Sequence, residues 1–573
     1  MILNFYGESS LYKHRGGFPM KIYQKAKNTP MAIKIAHTYL KRLDFVGLIN
    51  RNVRWDEKQV NLTPGHLALS VVLGTFCASR YPLTRIPQHF STMNTELLFG
   101  SGITYSDFTD DAIARTLDKI HEAGTAALFS QLALTAFTTF DIPLGNLHSD
   151  TSTHTFYGDY DACDEEDYEG PDITYGYSKE HRPDLKQIMI GNVVNSDGIP
   201  LIHQSLSGNT ADCAWNEQAI GTIGDLLKER IQDVVYIADA KLVTEPNLRL
   251  MHKHQLKFIS RVPDNFCAKL TARAKKEAYE ANAWEDFGCI ADDGKHTRYE
   301  GYSKAYSLGL EKVRLLVVKS SAGREGFAAR LEKERARLEQ EVRVVEQREF
   351  ACEADAITAA QILTKQKSKG YFSLSYTTLH TTSQKRPVGN PGKNPKPPVE
   401  ISTWQVRFEM SENNGVIQAA QEQAQTFVLV SNIEHEKMND KTLLWRYKNQ
   451  HVVETGFRWL RQPSMASTIF LKKPQRIEAL MMLIHAALLI RALMQQQVRL
   501  RLKAFSDSPL LDITGQKLPR PTADKILVLL INRAVVTDHG EQYYAYCNEK
   551  ELAQLQLLME LLGITEDELL IAD

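Results

Sequence analysis

The sequence predicts an α/β protein, a core of strands and helices that is interrupted by a mainly β insertion and flanked by helical regions at both ends. Three observations predict it. From about Leu144 the texture turns to short runs rich in Ile, Val, Thr and Tyr, broken by Asn, Asp and Gly, as strands with turns should be. After Pro263 that pattern gives way to a charged helix and two long strand-like runs. Helical periodicity dominates before Asp141 and returns from Lys441 onward.

At 573 residues the chain exceeds what one core supports, so three to five structural units of roughly 150 residues each are expected. A composition of 43% hydrophobic and 24% charged residues with net charge −1 is that of a soluble globular protein. The distribution of charge therefore matters more than its sum. Seven scattered cysteines, never in CxxC spacing, predict a reduced, cytoplasmic protein without a zinc site. The start MILNFYGESSLYKHRGG lacks the apolar run of a signal peptide. The longest apolar run, ALMMLIHAALLI from Ala479, is too short to span a bilayer and reads as a buried core helix, so no membrane partner is expected. No GxxxxGK[ST] loop is present, and no nucleotide cofactor is expected.

The elements follow in order. Residues 1–140 read as a helical N-terminal region, either DNA-binding or a helical support, in which DDAIARTLDKIHEAGTAALFSQLALTAF follows a Thr109-Asp110 start signal. Residues 141–265 hold strands in NLHSDTSTHTFYG, QIMIGNVVNSDGIPLIHQSLSGN, VVYIADA and KFISRVP, with a helix in WNEQAIGTIGDLLKERI. The order is three strands, helix, strand, helix, strand, which matches an RNase H-like sheet. The acidic stretch YGDYDACDEEDYEGPD within it reads as a solvated loop.

Residues 266–430 form the insertion, with a charged helix in GREGFAARLEKERARLEQEVRVVEQREF and strands in GYFSLSYTTLH and WQVRFEMSE. Between those strands, seven prolines or glycines from Pro387 to Pro398 forbid regular structure, leaving a flexible basic finger or a plain hairpin tip. Residues 431–510 return to the core, with one helix expected in KTLLWRYKNQHVVETGFRWLRQ and another in QRIEALMMLIHAALLIRALMQQQVRLR. Residues 511–573 read as a helical C-terminal region for packing or dimerisation.

Chemistry concentrates in the first of those core helices. On this helix Tyr447, Gln450, Glu454, Arg458 and Arg461 share one face and Val453, Phe457 and Leu460 another. From Lys441 to Lys503 twelve Lys/Arg face only two acids, Glu454 and Glu478. Asp150 falls within the first core strand and Asp239 closes VVYIADA; a carboxylate opening onto a crevice presents a hard oxygen to Mg²⁺, although either alone can be an ordinary strand aspartate. Three carboxylates distributed as strand, strand and helix suit two-metal phosphoryl transfer, with ions roughly 3.5–4 Å apart. Arg458 and Arg461 can then grip phosphates. His148 and His154 flank Asp150, with hydrogen-bonding support or surface exposure as their simpler roles, and Lys179, His181 and Arg182 form either a phosphate patch or a charged turn.

The segment from Tyr447 resembles the signature of DDE transposases from bacterial insertion sequences, in the branch reading Tyr, two residues, Arg, three residues, Glu, six residues, Lys. Tyr447, Gln450, Glu454 and Arg461 hold that spacing, with Gln450 in place of Arg and Arg461 in place of Lys. GYSKEHRPDLKQIMIGNVVNSDGIPL, the LSGNTAD turn and FLKKPQRIEAL resemble the same branch, so the likeness covers roughly residues 144–495.

The resemblance implies an RNase H-like fold whose catalytic triad Asp150, Asp239 and Glu454 binds two Mg²⁺ ions, with Mn²⁺ able to substitute. It implies an insertion domain in the 215 positions between Asp239 and Glu454, against 89 between Asp150 and Asp239. Tyr447, Gln450, Arg458, Arg461, Lys472 and Lys473 are the implied DNA contacts, and Trp404, Trp445 and Trp459 are candidates to hold a flipped base, each also explicable as core. The implied partner is double-stranded DNA, transposon ends and target, bound by a homodimer. The implied reaction is cut-and-paste transposition, in which water frees a 3′-hydroxyl that then attacks target DNA. The alternatives are a transposase-derived DNA-binding protein without cleavage and a Mg²⁺-dependent RNase H-like nuclease.

Overall fold

A computed structural model describes residues 26–56, 58, 62–76, 82–158, 160, 170–263, 267–289, 296–308, 311–367, 370–386, 397–462, 471–538, 541–545 and 549–570. The chain divides into two compact units, one drawn mainly from residues 1–260 and 446–573 and the other from 261–308 and 312–445.

The first unit opens with β1 (Lys27–Pro30), which runs into a helix, Met31–Arg42, buried along most of its length. Its central strands are β2 (Asn146–Phe156), β3 (Lys186–Asn195), β4 (Pro200–Ser207), β5 (Val235–Ala238) and β6 (Lys257–Arg261), in the lateral order β4-β3-β2-β5-β6. The pairs β2–β3 and β3–β4 are antiparallel, whereas β2–β5 and β5–β6 are parallel. Antiparallel neighbours need only tight turns, but a parallel neighbour needs a crossover, supplied here by helices Asp212–Leu227 and Glu245–Lys253. The succession of three strands, helix, strand, helix, strand expected from sequence is the one found.

A helix of 29 residues, Pro474–Leu502, forms the spine of this unit. It is longer than its apolar run suggests, and by length and composition alone it is able to cross a membrane, yet 94% of its most apolar window is buried within the protein. Polar clamps hold it to the N-terminal helix Asp110–Glu122 and its successor Thr125–Thr139. Glu478 accepts from His121 Nδ1 and Thr125 Oγ1, both at 2.7 Å, and Arg476 grips Asp118 at 2.7 and 2.8 Å. Glu478 is thus a structural acid, and the hydrogen bond raises the His121 pKa above its ordinary value.

Further along the same helix, His485 stacks on His203 of β4 at 3.4 Å between ring centroids, and Asn192 of β3 hydrogen-bonds both rings. Burial pushes His485 down to about 3 and His203 well below its ordinary value, so both rings are neutral. His148 of β2, also buried, falls to about 4 for the same reason.

Three sequence expectations need correction here. The N- and C-terminal regions are not purely helical: β1 pairs with β13 (Ala534–Asp538), which pairs with β14 (Glu541–Ala545), joining the two ends of the chain in one antiparallel sheet. Such strands of four or five residues are too short to register against the longer helical patterns around them. The expected helix through residues 110–137 breaks at Gly124, whose φ of 87° no helix accommodates.

The second unit, finally, is mixed α/β where a mainly β insertion was expected. Besides the expected charged helix Ser321–Glu346, it contains helices Ala268–Ala281, Glu353–Lys367 and Asn414–Gln425, whose alanine-rich sequences favour helix over strand. Its other strands are β7 (Glu285–Cys289), β8 (Arg298–Leu308), β9 (Glu311–Ser320) and β12 (Thr426–Ser431), in the order β12-β9-β8-β7. Beside them a hairpin of β10 (Phe372–Lys385) and β11 (Val399–Glu412) packs with the two longer helices around Leu338, Ala360, Phe372 and Val406. The tip of that hairpin, residues 387–396, and most of the acidic stretch, 159 and 161–169, lie outside the described residues.

Arg314 of β9 and Asp440 form an ion pair at 3.0 Å with only 7% of either side chain exposed. Asp440→Ala leaves a buried guanidinium without its counter-ion and is expected to destabilise the second unit by about 3–5 kcal/mol in chemical denaturation. The neutral histidines make a second prediction. Their folded pKa values lie below the unfolded value near 6.5, so the unfolded chain takes up protons first as pH falls. Stability is complete above about pH 6.5 and declines towards pH 4, by up to about 1.4 kcal/mol per pH unit for each histidine. Thermal melts across that range should show the decline, and His485→Leu should make it shallower.

Candidate active site

The parallel register of β2 and β5 is the starting point. Asn146, Leu147 and His148 pair with Val235, Tyr236 and Ile237. Carried on by two residues, that register sets Asp150 beside Asp239, which follows β5 directly and is still extended at φ −68°, ψ −175°. The Asp239 side chain accepts from the Lys241 N–H at 2.9 Å, capping a short turn, and its carbonyl accepts from Ser260 Oγ at 2.7 Å. Its conformation is therefore held from both ends.

Burial pushes the Asp150 carboxyl up to about 6, and Asp239 and Asp212 nearby push in the same direction, while Lys179 and the Thr151 N–H oppose them. Burial and Asp212 raise Asp239 as well. These are carboxylates crowded together more closely than their own hydrogen bonds relieve. Hard oxygen donors whose mutual repulsion a cation would remove are a suitable donor set for a divalent metal.

The two faces of β2 are latched differently. On one, the Trp215 indole donates to Ser149 Oγ at 3.0 Å and Thr151 Oγ1 donates to Asp212 at 2.5 Å, so the helix Asp212–Leu227 is fixed at its first turn. Gly191 of β3, paired with Thr151, makes this possible: a Cβ there would lie 2.5 Å from the Trp215 ring. On the other face, Arg461 donates to Ser152 Oγ through Nε at 3.0 Å and Nη2 at 2.6 Å. Arg461 closes the helix His451–Leu460, and His451 at its start lies close enough to His148 to help suppress that ring's charge. The helix thus follows β2 from His148 towards Ser152, with Glu454 exposed on it.

The expected single helix from Lys441 is in fact two, Asp440–Lys448 and His451–Leu460. At the joint, Asn449, Gln450, Val452 and Val453 each donate to the carbonyl three residues back, tightening the turn and redirecting the axis. Tyr447 and Gln450 therefore do not share a continuous helical face with Glu454. Both are half-buried, whereas Arg458, Lys472 and Lys473 are exposed. Among the described residues no three His, Cys, Asp or Glu side chains already converge as a metal-ligating group.

Other candidates take structural roles. Trp459 is buried beneath Arg491, whose guanidinium lies 4.7 Å from the ring centre, and Trp404 lies tilted against His380 with ring centroids 4.6 Å apart; Trp445 is half-exposed. Arg182 is bound to Asp184 and to Tyr157. Lys179, by contrast, turns inward to Asp150 and Asp212. Asp212 went unchosen in the sequence because an acid at the first turn of a helix is ordinary; its place as the last residue of LSGNTAD, directly behind a core strand, was the available signal.

Comparison with known proteins adds the family. The model of the transposase DDE domain matches residues 159–490, more than half of the chain. The chain belongs to the DDE transposase family. Within the transposase, Asp239 and Glu454 fall inside the matched range, while Asp150 lies just before it. A second model, a domain of unknown function (DUF4277), matches residues 32–134, the N-terminal helices that clamp the spine helix. No curated protein matches the transposase.

The raised Asp150 carboxyl has a consequence for stability. Its folded pKa exceeds the unfolded value, so the folded protein holds the extra proton at intermediate pH and loses stability as pH rises through about 6. In metal-free buffer at pH 7.5, Asp150→Asn should stabilise the transposase, by only about 1 kcal/mol because a third of the side chain remains in solvent. The gain should shrink towards zero at pH 4 in paired thermal melts.

Proposed function

We propose that this transposase cuts DNA at the terminal inverted repeats of an insertion sequence and joins the freed 3′-hydroxyl ends to target DNA, with Asp150, Asp239 and Glu454 as its catalytic carboxylates. The observation that carries the reading is the register of β2 and β5, which sets Asp150 beside Asp239 across 89 positions of sequence. The strand order β4-β3-β2-β5-β6, antiparallel on one side of β2 and parallel on the other, supports an RNase H-like core.

Asp150, Asp239 and Glu454 would hold two divalent cations, Mg²⁺ or Mn²⁺, which when bound supply positive charge to the attacking and leaving oxygens. The chain does the rest. Asp239, fixed between Lys241 and Ser260, keeps its carboxylate oriented without induced movement. Arg461 holds the helix of Glu454 against β2, and Arg458, Lys472 and Lys473, exposed around it, offer charge to the phosphate backbone of double-stranded DNA. Tyr447 and Gln450, at the helix joint, complete the contact set. Water attacks first and frees a 3′-hydroxyl, which then attacks the target phosphodiester in line, so no covalent enzyme intermediate forms. Joining two ends calls for a homodimer on DNA.

The test is cleavage of a labelled duplex bearing the element's own terminal repeats, with Mg²⁺ and with EDTA, followed by strand transfer from pre-cut ends. Metal-dependent nicking at the repeat boundary and joining of pre-cut ends are expected. Nicking without joining would make the protein a nuclease, and binding without nicking a DNA-binding derivative. Glu454→Gln should lower cleavage by at least about 10³-fold while leaving end binding within a few-fold; equal loss of both would assign Glu454 a structural role. Arg461→Ala should weaken binding and flatten its dependence on salt by about one counter-ion, measured as the slope of log affinity against log salt.

A further inference from the structure

Lys179 is delivered to the carboxylate site with unusual firmness for a lysine. Its backbone N–H donates to Thr153 Oγ1 at 3.1 Å, and Gln187 Nε2 holds the adjoining Tyr177 carbonyl at 3.2 Å, so the segment runs alongside β2. The ammonium donates to the Thr151 carbonyl at 2.9 Å and to Thr151 Oγ1, and it stands 3.3 Å from Asp212 and 3.8 Å from Asp150. Three-quarters of the side chain is buried. The neighbouring cations point elsewhere, Arg182 to Asp184 and Lys186 to the Tyr160 carbonyl.

We propose that Lys179 is a positioning residue of this site, whose ammonium, fixed by Thr151 and shared between Asp150 and Asp212, sets how strongly the carboxylates take up a divalent cation. The proposal rests on the assignment of Asp150, Asp239 and Glu454 as metal ligands. An ammonium is a compact point charge on a flexible stem, able to neutralise a carboxylate and to withdraw from it. Placed 3.8 Å from one proposed ligand, it opposes a second cation at the same oxygens through direct repulsion. Asp212 draws the ammonium away from Asp150 and adds negative charge. The two residues therefore act in opposite directions on cation affinity.

An ion pair that only braced the fold predicts the reverse sign. Its removal would loosen the carboxylates and weaken cation binding.

The measurement is Mn²⁺ binding to the full chain by isothermal titration calorimetry, with a thermal melt of every variant. Lys179→Gln should tighten Mn²⁺ binding by about tenfold, Lys179→Arg should stay within about twofold of wild type, and Asp212→Asn should weaken binding by about tenfold. Unchanged or weaker binding in Lys179→Gln overturns the proposal. Should that variant fail to fold, Lys179→Met decides: tighter binding supports the proposal, and unchanged or weaker binding overturns it. Asp239→Ala separates the two levels of inference. If wild type binds no Mn²⁺, or Asp239→Ala binds it as wild type does, the metal-site assignment falls and the role of Lys179 with it; if Asp239→Ala loses Mn²⁺ while Lys179→Gln changes nothing, only the role of Lys179 is overturned.

Discussion

The arrangement of the candidate site depends on one pairing, the parallel contact of β2 with β5. Parallel neighbours cannot be joined by a tight turn, so the chain must leave β2, build the antiparallel pair β3 and β4, and return through the helix Asp212–Leu227 before β5 can lie beside β2. That detour separates Asp150 from Asp239 in sequence and reunites them in space. It also fixes their register, because parallel strands buried on both faces tolerate no slip. Burial of Asp150 within that arrangement raises its carboxyl, and the repulsion of Asp239 set beside it adds to the rise.

The small polar residues of β2 follow from the same constraint. Ser149, Thr151 and Ser152 look like loose hydroxyls in HSDTSTH, but the first two bond to Trp215 and Asp212 of one helix and the third to Arg461 at the end of another. Larger side chains would keep the helix Asp212–Leu227 off one face of the strand and the helix of Glu454 off the other. The hydroxyls serve as latches, and no nucleophile needs to be sought among them.

Around this centre, the first unit is held by polar groups in apolar surroundings. Glu478 with His121 and Thr125, Arg476 with Asp118, and the stacked His203 and His485 fix the rotation of a long helix that hydrophobic contact alone would leave free to slide. The N-terminal helices that supply several of these partners form the segment matched by a domain of unknown function, and in the structure they are part of the support of the core. The sheet formed by β1, β13 and β14 ties both chain ends to the same body.

Local pattern sufficed for much of this. The texture and turn residues of 144–261 specified the core strands, β2, β3 and β4 through runs of eight to eleven residues and the shorter β5 and β6 as apolar runs closed by Asp239 and Pro263, and the acids Asp150, Asp239 and Glu454 were legible as candidates from their places at strands and helix. What local pattern lacked was anything decided by backbone bonds three residues apart or by partners hundreds of residues away. The break at Asn449 and Gln450 is invisible to a helical wheel, since Gln450 keeps helical dihedrals while the backbone bonds tighten; the stripe from Tyr447 to Glu454 failed for that reason. The hairpin of β13 and β14 needs β1 from the other end of the chain before its strands are worth forming. Lys179 reads in sequence as part of a phosphate patch or a charged turn and Asp212 as the end of the LSGNTAD turn, and only the folding of separate segments onto β2 makes them neighbours of Asp150. The sequence by itself determined which residues carry hard oxygen donors and cations, because that is a property of side chains; the tertiary structure alone decided which of them meet, because proximity of charges is a property of the sheet's topology.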